Sequence, residues 1–213
     1  MCGIIAGVTN NNILPALVNG LEKLEYRGYD SAGLAVIQNN QIHLVKTVGK
    51  VVELKKLLPQ KKLDSNIGIG HTRWATHGVP SVVNAHPHTT DRIALVHNGI
   101  IENYKELKHE LQGLGYGFKS ETDTEVVANL LDYYFSLNNN HIEASKQTIA
   151  RLEGSFSLVF MFHDAELLFA TCKKTPLVLG LAKDATYIAS DIVAFGSNVG
   201  EVVYFEDEDA VLI

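Results

Sequence analysis

Short apolar segments typical of β-strands occupy two separate stretches of the chain, and this distribution limits the folds that it can adopt. One stretch begins at residue 3 and the other runs from residue 155 to the end, with helical segments inside the first stretch and between the two. A sheet must bury its apolar face against another layer, and helices must do the same with their apolar stripe. The sequence therefore predicts a single α+β domain, residues 1–213, with mixed sheets packed face to face and helices outside them.

The individual elements are predicted from apolar spacing and from capping residues. Leucines recur at helical spacing from Leu14 to Leu24, after a first strand "GIIAGVT" and before the hairpin "AGLAVIQNNQIHLVKTV". Asn103 is predicted to cap one helix, and Thr122 with Glu125 has the pattern of a capping box at the start of another. Strands are also predicted at "NIGIGHTRW" and "RIALVHNG", a short helix at "VVELKKLL" and a further helix over residues 142–152. The later strands are predicted at "SFSLVFMF", "ELLFATC", "LVLGLA", "TYIAS", "EVVYF" and "AVLI".

Composition excludes several classes of function. Eighteen basic and 24 acidic residues give a net charge of −6, which argues against nucleic acid or an anionic membrane as partner. No run of about 18 apolar residues suggests a membrane span, and the N-terminus lacks the features of a signal peptide. Two cysteines form no disulfide framework, so a reducing cytoplasm is the expected location.

Cys2, directly behind the initiator methionine, is the first candidate for chemistry. If Met1 is removed, Cys2 carries both a thiol and a free α-amine, which is a nucleophile with a base attached. The alternative is a cysteine buried at the start of an edge strand, because buried cysteines are common. Cys172 ends an apolar strand and is interpreted as a packing residue.

Three polar motifs supply further candidates, each with a structural alternative. In "HTRWATHG", Arg73 is either a surface charge or a bidentate clamp for a carboxylate. In "HNGII", Asn98 and Gly99 form either a hairpin turn or an oxyanion hole. In "SETDTEV", Asp123 either favours the dipole of a helix start or binds a cation such as an amino-acid ammonium.

The "NAHPH" segment contains two histidines that could suggest a metal site. His86 and His88 have no second cysteine nearby and no His-Glu pair at helical spacing, so no metal is predicted. A solvated or hydrogen-bonded loop is the expected environment of these histidines, and no cofactor is expected for the chain.

Taken together, six motifs resemble a known family. The six motifs are "CGI", "LEYRGYDSAG", "HTRWATHG", "NAHPH", "HNGIIEN" and "SETDTE". In sequence and in order along the chain, they are similar to motifs of the class II glutamine amidotransferases, which are N-terminal-nucleophile hydrolases. Within this family, the motifs "YRGYDSAG" and "HTRWATHG" most resemble those of the glutaminase domains of glucosamine-6-phosphate synthases. The resemblance implies a four-layer αββα sandwich, which agrees with the α+β class predicted from the elements.

The resemblance also implies roles for the candidate residues. Cys2 would attack the side-chain amide of L-glutamine, with Asn98 and Gly99 as the oxyanion hole. The substrate would be bound by residues that act as charge clamps or close over it, and these are Arg73, Trp74, Thr76, His77 and Asp123. Arg27, in "YRGYD", would support the site in a role that the sequence does not define.

The resemblance finally implies a partner and leaves two alternatives open. In the family the ammonia passes to a sugar isomerase domain that makes glucosamine 6-phosphate from fructose 6-phosphate, and no counterpart of that domain is found in these 213 residues. Synthesis of an amino sugar is therefore not expected of this chain. The alternatives are a related amidotransferase domain that serves another acceptor, and a catalytically silent regulatory module.

Overall fold

The strands of the computed structural model, which describes residues 2–75, 78–197 and 199–213, form two sheets. In chain order the strands are β1 (Gly3–Thr9), β2 (Ser31–Gln38), β3 (Gln41–Val48), β4 (Ile67–Arg73), β5 (His88–Thr89), β6 (Ile93–Ile101), β7 (Gly154–Phe162), β8 (Leu168–Lys173), β9 (Val178–Leu181), β10 (Ala185–Ala189), β11 (Glu201–Tyr204) and β12 (Ala210–Leu212). One sheet has the order β11-β9-β10-β1-β4-β2-β3, and the other has the order β12-β8-β7-β6-β5.

Both sheets are antiparallel, so the expectation of mixed sheets was wrong. Every strand pair among the described residues runs in opposite directions. The helix that follows β1 leads to β2, which is parallel to β1, yet β4 lies between the two strands and is antiparallel to both. The connection through a helix therefore creates no parallel pair.

The outer faces of the sheets are covered by five helices within the described ranges. They are α1 (Leu14–Leu24), α2 (Val51–Leu57), α3 (Tyr104–Gly113), α4 (Asp123–Asn138) and α5 (His141–Arg151), together with short 3₁₀ turns at Glu25–Arg27 and Ile192–Ala194. The predicted strands and helices are all present, and the two-residue strand β5 and the 3₁₀ turns are additions to them.

The alternation of side chains along each strand builds the four layers. On β7, the even-numbered residues from Phe156 to Phe162 pack under α3, α4 and α5. Val159, between them, faces the other sheet. Because successive strand residues point to opposite faces, one strand serves two cores at once. The same alternation on β1 directs Ile4 toward the inter-sheet core and Ile5 toward α1. The predicted αββα sandwich is confirmed.

Of the two predicted helix caps, the one at Asn103 does not form, and the one at Thr122 forms with an incomplete capping box. Asn103 precedes α3, but its side chain donates to the Arg151 carbonyl at 2.8 Å and accepts from the Glu153 N–H, so it ties the end of α5 instead of capping α3. Thr122 does cap α4, since its hydroxyl accepts the Glu125 N–H. The Glu125 carboxylate binds backbone N–H groups in the preceding loop, which leaves the capping box half formed.

Candidate functional site

A cavity of about 360 Å³ opens where β1, β4 and β6 meet the start of α4. A volume of this size lies at the lower end of the range for small-molecule sites. The predicted site residues of the described chain all line it, and they are Cys2, Arg27, Arg73, Trp74, Asn98, Gly99 and Asp123. Thr76 and His77, predicted to close over the substrate, lie outside the described residues, as does Met1.

Cys2 lies directly before β1 and is partly exposed, so it is not the fully buried strand residue of the alternative interpretation. Its Sγ accepts the Trp74 N–H at 3.1 Å and lies 3.4 Å from the Trp74 carbonyl oxygen. Burial raises the pKa of the Cys2 thiol above its ordinary value, and the Trp74 N–H opposes this rise only in part. The thiol is therefore mostly protonated at neutral pH, and a reaction at sulfur requires a nearby base.

Asn98 and Gly99 lie inside β6, so the hairpin-turn alternative for "HNGII" was wrong. Asn98 pairs with Ser157 and Gly99 with Phe156 across the β6–β7 ladder. Gly99 has a φ of +118°, and a Cβ there would lie 2.0 Å from the Ser155 carbonyl oxygen. Only glycine fits this position, where the backbone reaches the cavity wall.

The Asn98 side chain is held between two groups. Its Nδ2 donates to the Cys2 carbonyl at 3.2 Å, and its Oδ1 lies 3.0 Å from His71 Nε2. An amide nitrogen has two N–H groups, so one proton remains after the bond to Cys2. The second N–H of Asn98 Nδ2 is thus a hydrogen-bond donor next to Cys2.

Arg73 ends β4 as a buried cation at the cavity wall. Its Nη2 donates to the Gly78 carbonyl at 3.0 Å, and its Nη1 lies 3.8 Å from the Asp30 carboxylate. The same carboxylate accepts the Ala75 N–H and the Ser31 hydroxyl. Asp30 therefore pairs with the guanidinium and holds the backbone that follows Arg73 through a hydrogen bond.

Asp123 is the first residue of α4 and lies almost fully buried in the cavity lining. Its Oδ2 accepts the Ile101 N–H at 2.9 Å, while its Oδ1 has a long contact of 3.5 Å to the Thr124 hydroxyl. The carboxylate thus retains acceptor capacity toward the cavity. Its position at the helix start also places it where the dipole favours a negative charge.

Trp74 and Arg27 close the side of the cavity nearest α1. The indole of Trp74 packs on Gly28, where an added Cβ would lie 2.1 Å from the ring, and the side chain is 55% exposed. Arg27 donates to the Ser190 carbonyl at 3.1 Å and lies 3.6 Å from the Asp191 carboxylate. These contacts give Arg27 a definite place at the rim, which the sequence had left undefined.

Four buried histidines form a cluster at the cavity wall: His86 and His97 line the cavity, and His71 and His88 do not. The His71 and His86 rings stack with their centroids 4.2 Å apart, and Thr124 Oγ1 bonds both His86 Nε2 and His97 Nδ1. Burial lowers the pKa of His71 to about 3 and the pKa values of His86 and His88 well below their usual range. Of the two environments expected for the "NAHPH" histidines, solvated or hydrogen-bonded, the structure shows the hydrogen-bonded one.

Several residues that line the cavity or contact its lining were given no role from the sequence, and Asp30, His71 and Thr124 are among them. Asp30 stands in "YRGYDSAG", His71 begins "HTRWATHG" and Thr124 follows Asp123, so each belongs to a motif already singled out. Their partners are distant in sequence, and no local spacing indicates such contacts.

Comparison with known proteins identifies the family. A glutamine amidotransferase domain matches residues 71–197, which is more than half of the chain. The chain is 44% identical to a protein of Mesorhizobium japonicum and 47% identical to one of Pyrococcus horikoshii, both named glutamine–fructose-6-phosphate aminotransferase (isomerizing). These alignments cover 100% and 97% of this chain but only 35% of each relative. The chain thus spans about a third of the length of these relatives.

Solved structures agree with the fold at low sequence identity. Glutamine phosphoribosylpyrophosphate amidotransferase from B. subtilis superimposes over the whole chain with a TM-score of 0.81 at 24% identity. An allosteric regulatory enzyme of purine biosynthesis superimposes with a TM-score of 0.83, also at 24% identity. The chain covers 49% and 48% of these structures, respectively. The fold is that of the N-terminal-nucleophile hydrolases, and the chain belongs to the glutamine amidotransferase domain family.

Proposed function

We propose that the whole chain, residues 1–213, is a glutaminase domain that hydrolyses the side-chain amide of L-glutamine through a γ-glutamyl thioester on Cys2. The observation that carries this proposal is the meeting of a thiol, an amide donor, a cation and a carboxylate in one cavity. Glutamine has one chemical group for each of them: an amide carbon, an amide oxygen, an α-carboxylate and an α-ammonium.

The nucleophile in this mechanism needs a base, because its pKa is raised by burial. Once Met1 is removed, the α-amine of Cys2 has an ordinary pKa of about 7.7–8.0 and accepts the thiol proton, directly or through water. Sulfur then forms a bond to the amide carbon. The amine returns the proton to the leaving nitrogen, the C–N bond breaks and ammonia departs. Water hydrolyses the thioester, which releases glutamate and restores the thiol.

The negative charge on the amide oxygen is assigned to Asn98 and Gly99. The second N–H of Asn98 Nδ2 and the backbone N–H of Gly99 are the proposed donors, and Asn98 is already anchored to Cys2. Loss of one such donor lowers kcat by about 10²–10³-fold in comparable sites.

Arg73 and Asp123 are assigned to the charged groups of the substrate. The guanidinium offers a fork that matches the α-carboxylate, and Asp123 offers a carboxylate oxygen for the α-ammonium. A substrate that lacked the amino-acid end would use neither clamp. Trp74 lies at the rim, and we assign it, with Thr76 and His77, to closure over bound glutamine.

In a longer protein, we propose that the ammonia is transferred to fructose 6-phosphate on a sugar isomerase domain. The names and the greater length of the relatives support this partner. The same comparisons favour it over another acceptor or a silent regulatory role. Two free cysteines, one of them the nucleophile, fit a reducing compartment, so we place the reaction in the cytoplasm.

The clamps give the first test of this proposal, by assay of glutamate release from glutamine. Arg73→Ala and Asp123→Asn are expected to raise KM by about 10- to 100-fold with a smaller effect on kcat, because a charged hydrogen bond contributes about 1.5–3 kcal/mol. Arg92 is the matched control: it is also paired with an aspartate, Asp132, but lies outside the cavity. Arg92→Ala should change the melting temperature and leave KM unaltered. Unchanged KM values for both clamp variants would contradict the assignment.

A further inference from the structure

His71 connects the two sheets directly behind the candidate oxyanion donor. It lies on β4, opposite Ile4 of β1, and its side chain is fully buried. Its Nε2 reaches β6 of the other sheet, at 3.0 Å from the His97 carbonyl oxygen and 3.0 Å from Asn98 Oδ1. One ring nitrogen therefore contacts two oxygens of consecutive residues.

The protonation of this ring follows from its contacts. A backbone carbonyl only accepts hydrogen bonds, so Nε2 must carry the hydrogen. Burial lowers the pKa of His71 to about 3, so the ring is neutral near pH 7 and Nδ1 carries no proton. Within the described part of the chain, Nδ1 indeed has no hydrogen-bond partner. His71 is thus a neutral imidazole that donates from Nε2.

This tautomer determines which way the Asn98 amide faces. A donor at His71 requires the amide oxygen on that side, and the Cys2 carbonyl requires the amide nitrogen on the other. In the reversed amide, the nitrogen would oppose an N–H and the oxygen would oppose a carbonyl. Both hydrogen bonds would be lost in a partly buried setting, where unpaired polar groups are costly.

We propose that His71 is a positioning residue that holds the Asn98 amide with Nδ2 toward the reacting amide oxygen of the substrate. The inference rests on the proposed function, because it gives Asn98 the role of oxyanion donor. His71 touches neither substrate nor sulfur in this account and acts only through Asn98. Without its donor, the amide is held by the Cys2 carbonyl alone and presents oxygen to the developing negative charge for part of the time.

A matched pair of substitutions isolates the donor. Gln and Met have similar length and volume, but only Gln carries an N–H that can replace Nε2–H. His71→Met is expected to lower kcat by at least about 10-fold, up to the 10²–10³-fold limit of losing the oxyanion donor itself, with little change in KM. His71→Gln is expected to recover most of that loss. Equal loss in the two variants would show that His71 matters only for packing.

A double-mutant cycle tests whether His71 acts through Asn98. In an Asn98→Ala background, His71→Met should cause no further fall in kcat, because the group that it positions is gone. Multiplicative losses in the double variant would overturn the inference. Alkylation of Cys2 by iodoacetamide, which develops no oxyanion, should proceed at the wild-type rate in every variant that retains the site.

The ring itself can be examined in the unmodified chain, whether or not the variants fold. Histidine ¹⁵N chemical shifts should show His71 as the Nε2–H tautomer across pH 5–9, since its pKa is about 3. An Nδ1–H tautomer would overturn the inference even if glutamine turnover is normal. A wild-type chain that folds, shows the Nε2–H tautomer and hydrolyses no glutamine would instead refute the proposed function, and the assigned role of His71 with it.

Discussion

Retention of Met1 is expected to abolish glutamine hydrolysis by this chain. An α-nitrogen acylated by Met1 is an amide and cannot accept a proton, whereas the free amine of Cys2 can. Because burial raises the pKa of the thiol, little thiolate forms without that base. General-base catalysis contributes about 10²–10⁴-fold, so a loss of at least that size is expected.

Two preparations of one sequence make this comparison. A removable tag cleaved directly before Cys2 gives the processed chain, and the same tag cleaved before Met1 gives the unprocessed one. Intact mass identifies each form, and glutamate release is then measured on both. Equal melting temperatures would show that the extra residue has not unfolded the domain. Full activity of the Met1-bearing form would rule out the N-terminal amine as base.

Acid is expected to unfold the domain steeply below about pH 6.5, the ordinary pKa of histidine. His71, His86 and His88 are neutral in the folded state because burial lowers their pKa values, whereas the unfolded chain binds protons at them. The contribution of these histidines to the free energy of unfolding is therefore fully present above pH 6.5. It decreases as pH falls, down to about pH 3 for His71. Each histidine contributes a slope of about 1.4 kcal/mol per pH unit, or about 4 kcal/mol for the three. Because the free energy of unfolding of a domain is about 5–15 kcal/mol in total, a loss of this size per pH unit unfolds the domain within a few pH units.

Urea denaturation at a series of pH values measures this slope. His88→Gln removes one titrating ring while leaving an amide near Thr122, and the slope should fall by about one third. The control is His109→Gln, because His109 is exposed on α3. This control should leave the slope unchanged. A flat stability profile between pH 6.5 and 5 would contradict the burial of the cluster as neutral rings.

Much of the fold could be predicted from local patterns, because burial on one or two faces of an element produces a periodic spacing of apolar residues in the sequence. The hairpin of β2 and β3 and the leucine spacing of α1 are examples, and both were predicted within a few residues. Strand direction was not predictable in this way, since β4 inserts between β1 and β2 from a later part of the chain. The side chain of Asn103 likewise has partners that lie 48 and 50 residues away.

In the candidate site, too, some features could be predicted from local sequence and others depend on tertiary contacts. Chemical type made Cys2, Arg73 and Asp123 candidates, because few residue types can serve as nucleophile or charge clamp, and the resemblance to the family favoured those roles over the structural alternatives. The Asn-Gly pair was ambiguous, since only the tertiary pairing of β6 with β7 decides between a turn and a strand. Asp30 contacts Arg73 and His71 contacts Asn98, and both contacts join residues that are far apart in the sequence. A motif of consecutive residues does not predict such contacts.

The central claim is that Cys2 forms a γ-glutamyl thioester, and trapping that intermediate tests it most directly. Hydroxylamine added during turnover of the processed chain with glutamine should divert the acyl group to γ-glutamyl hydroxamate, because a thioester reacts readily with this nucleophile. Cys2→Ala should yield neither hydroxamate nor glutamate above the uncatalysed rate. Cys172→Ala is the matched control and should behave as wild type, since Cys172 is buried in β8 and does not line the cavity. Hydroxamate or glutamate formation by folded Cys2→Ala at the wild-type rate would contradict the account.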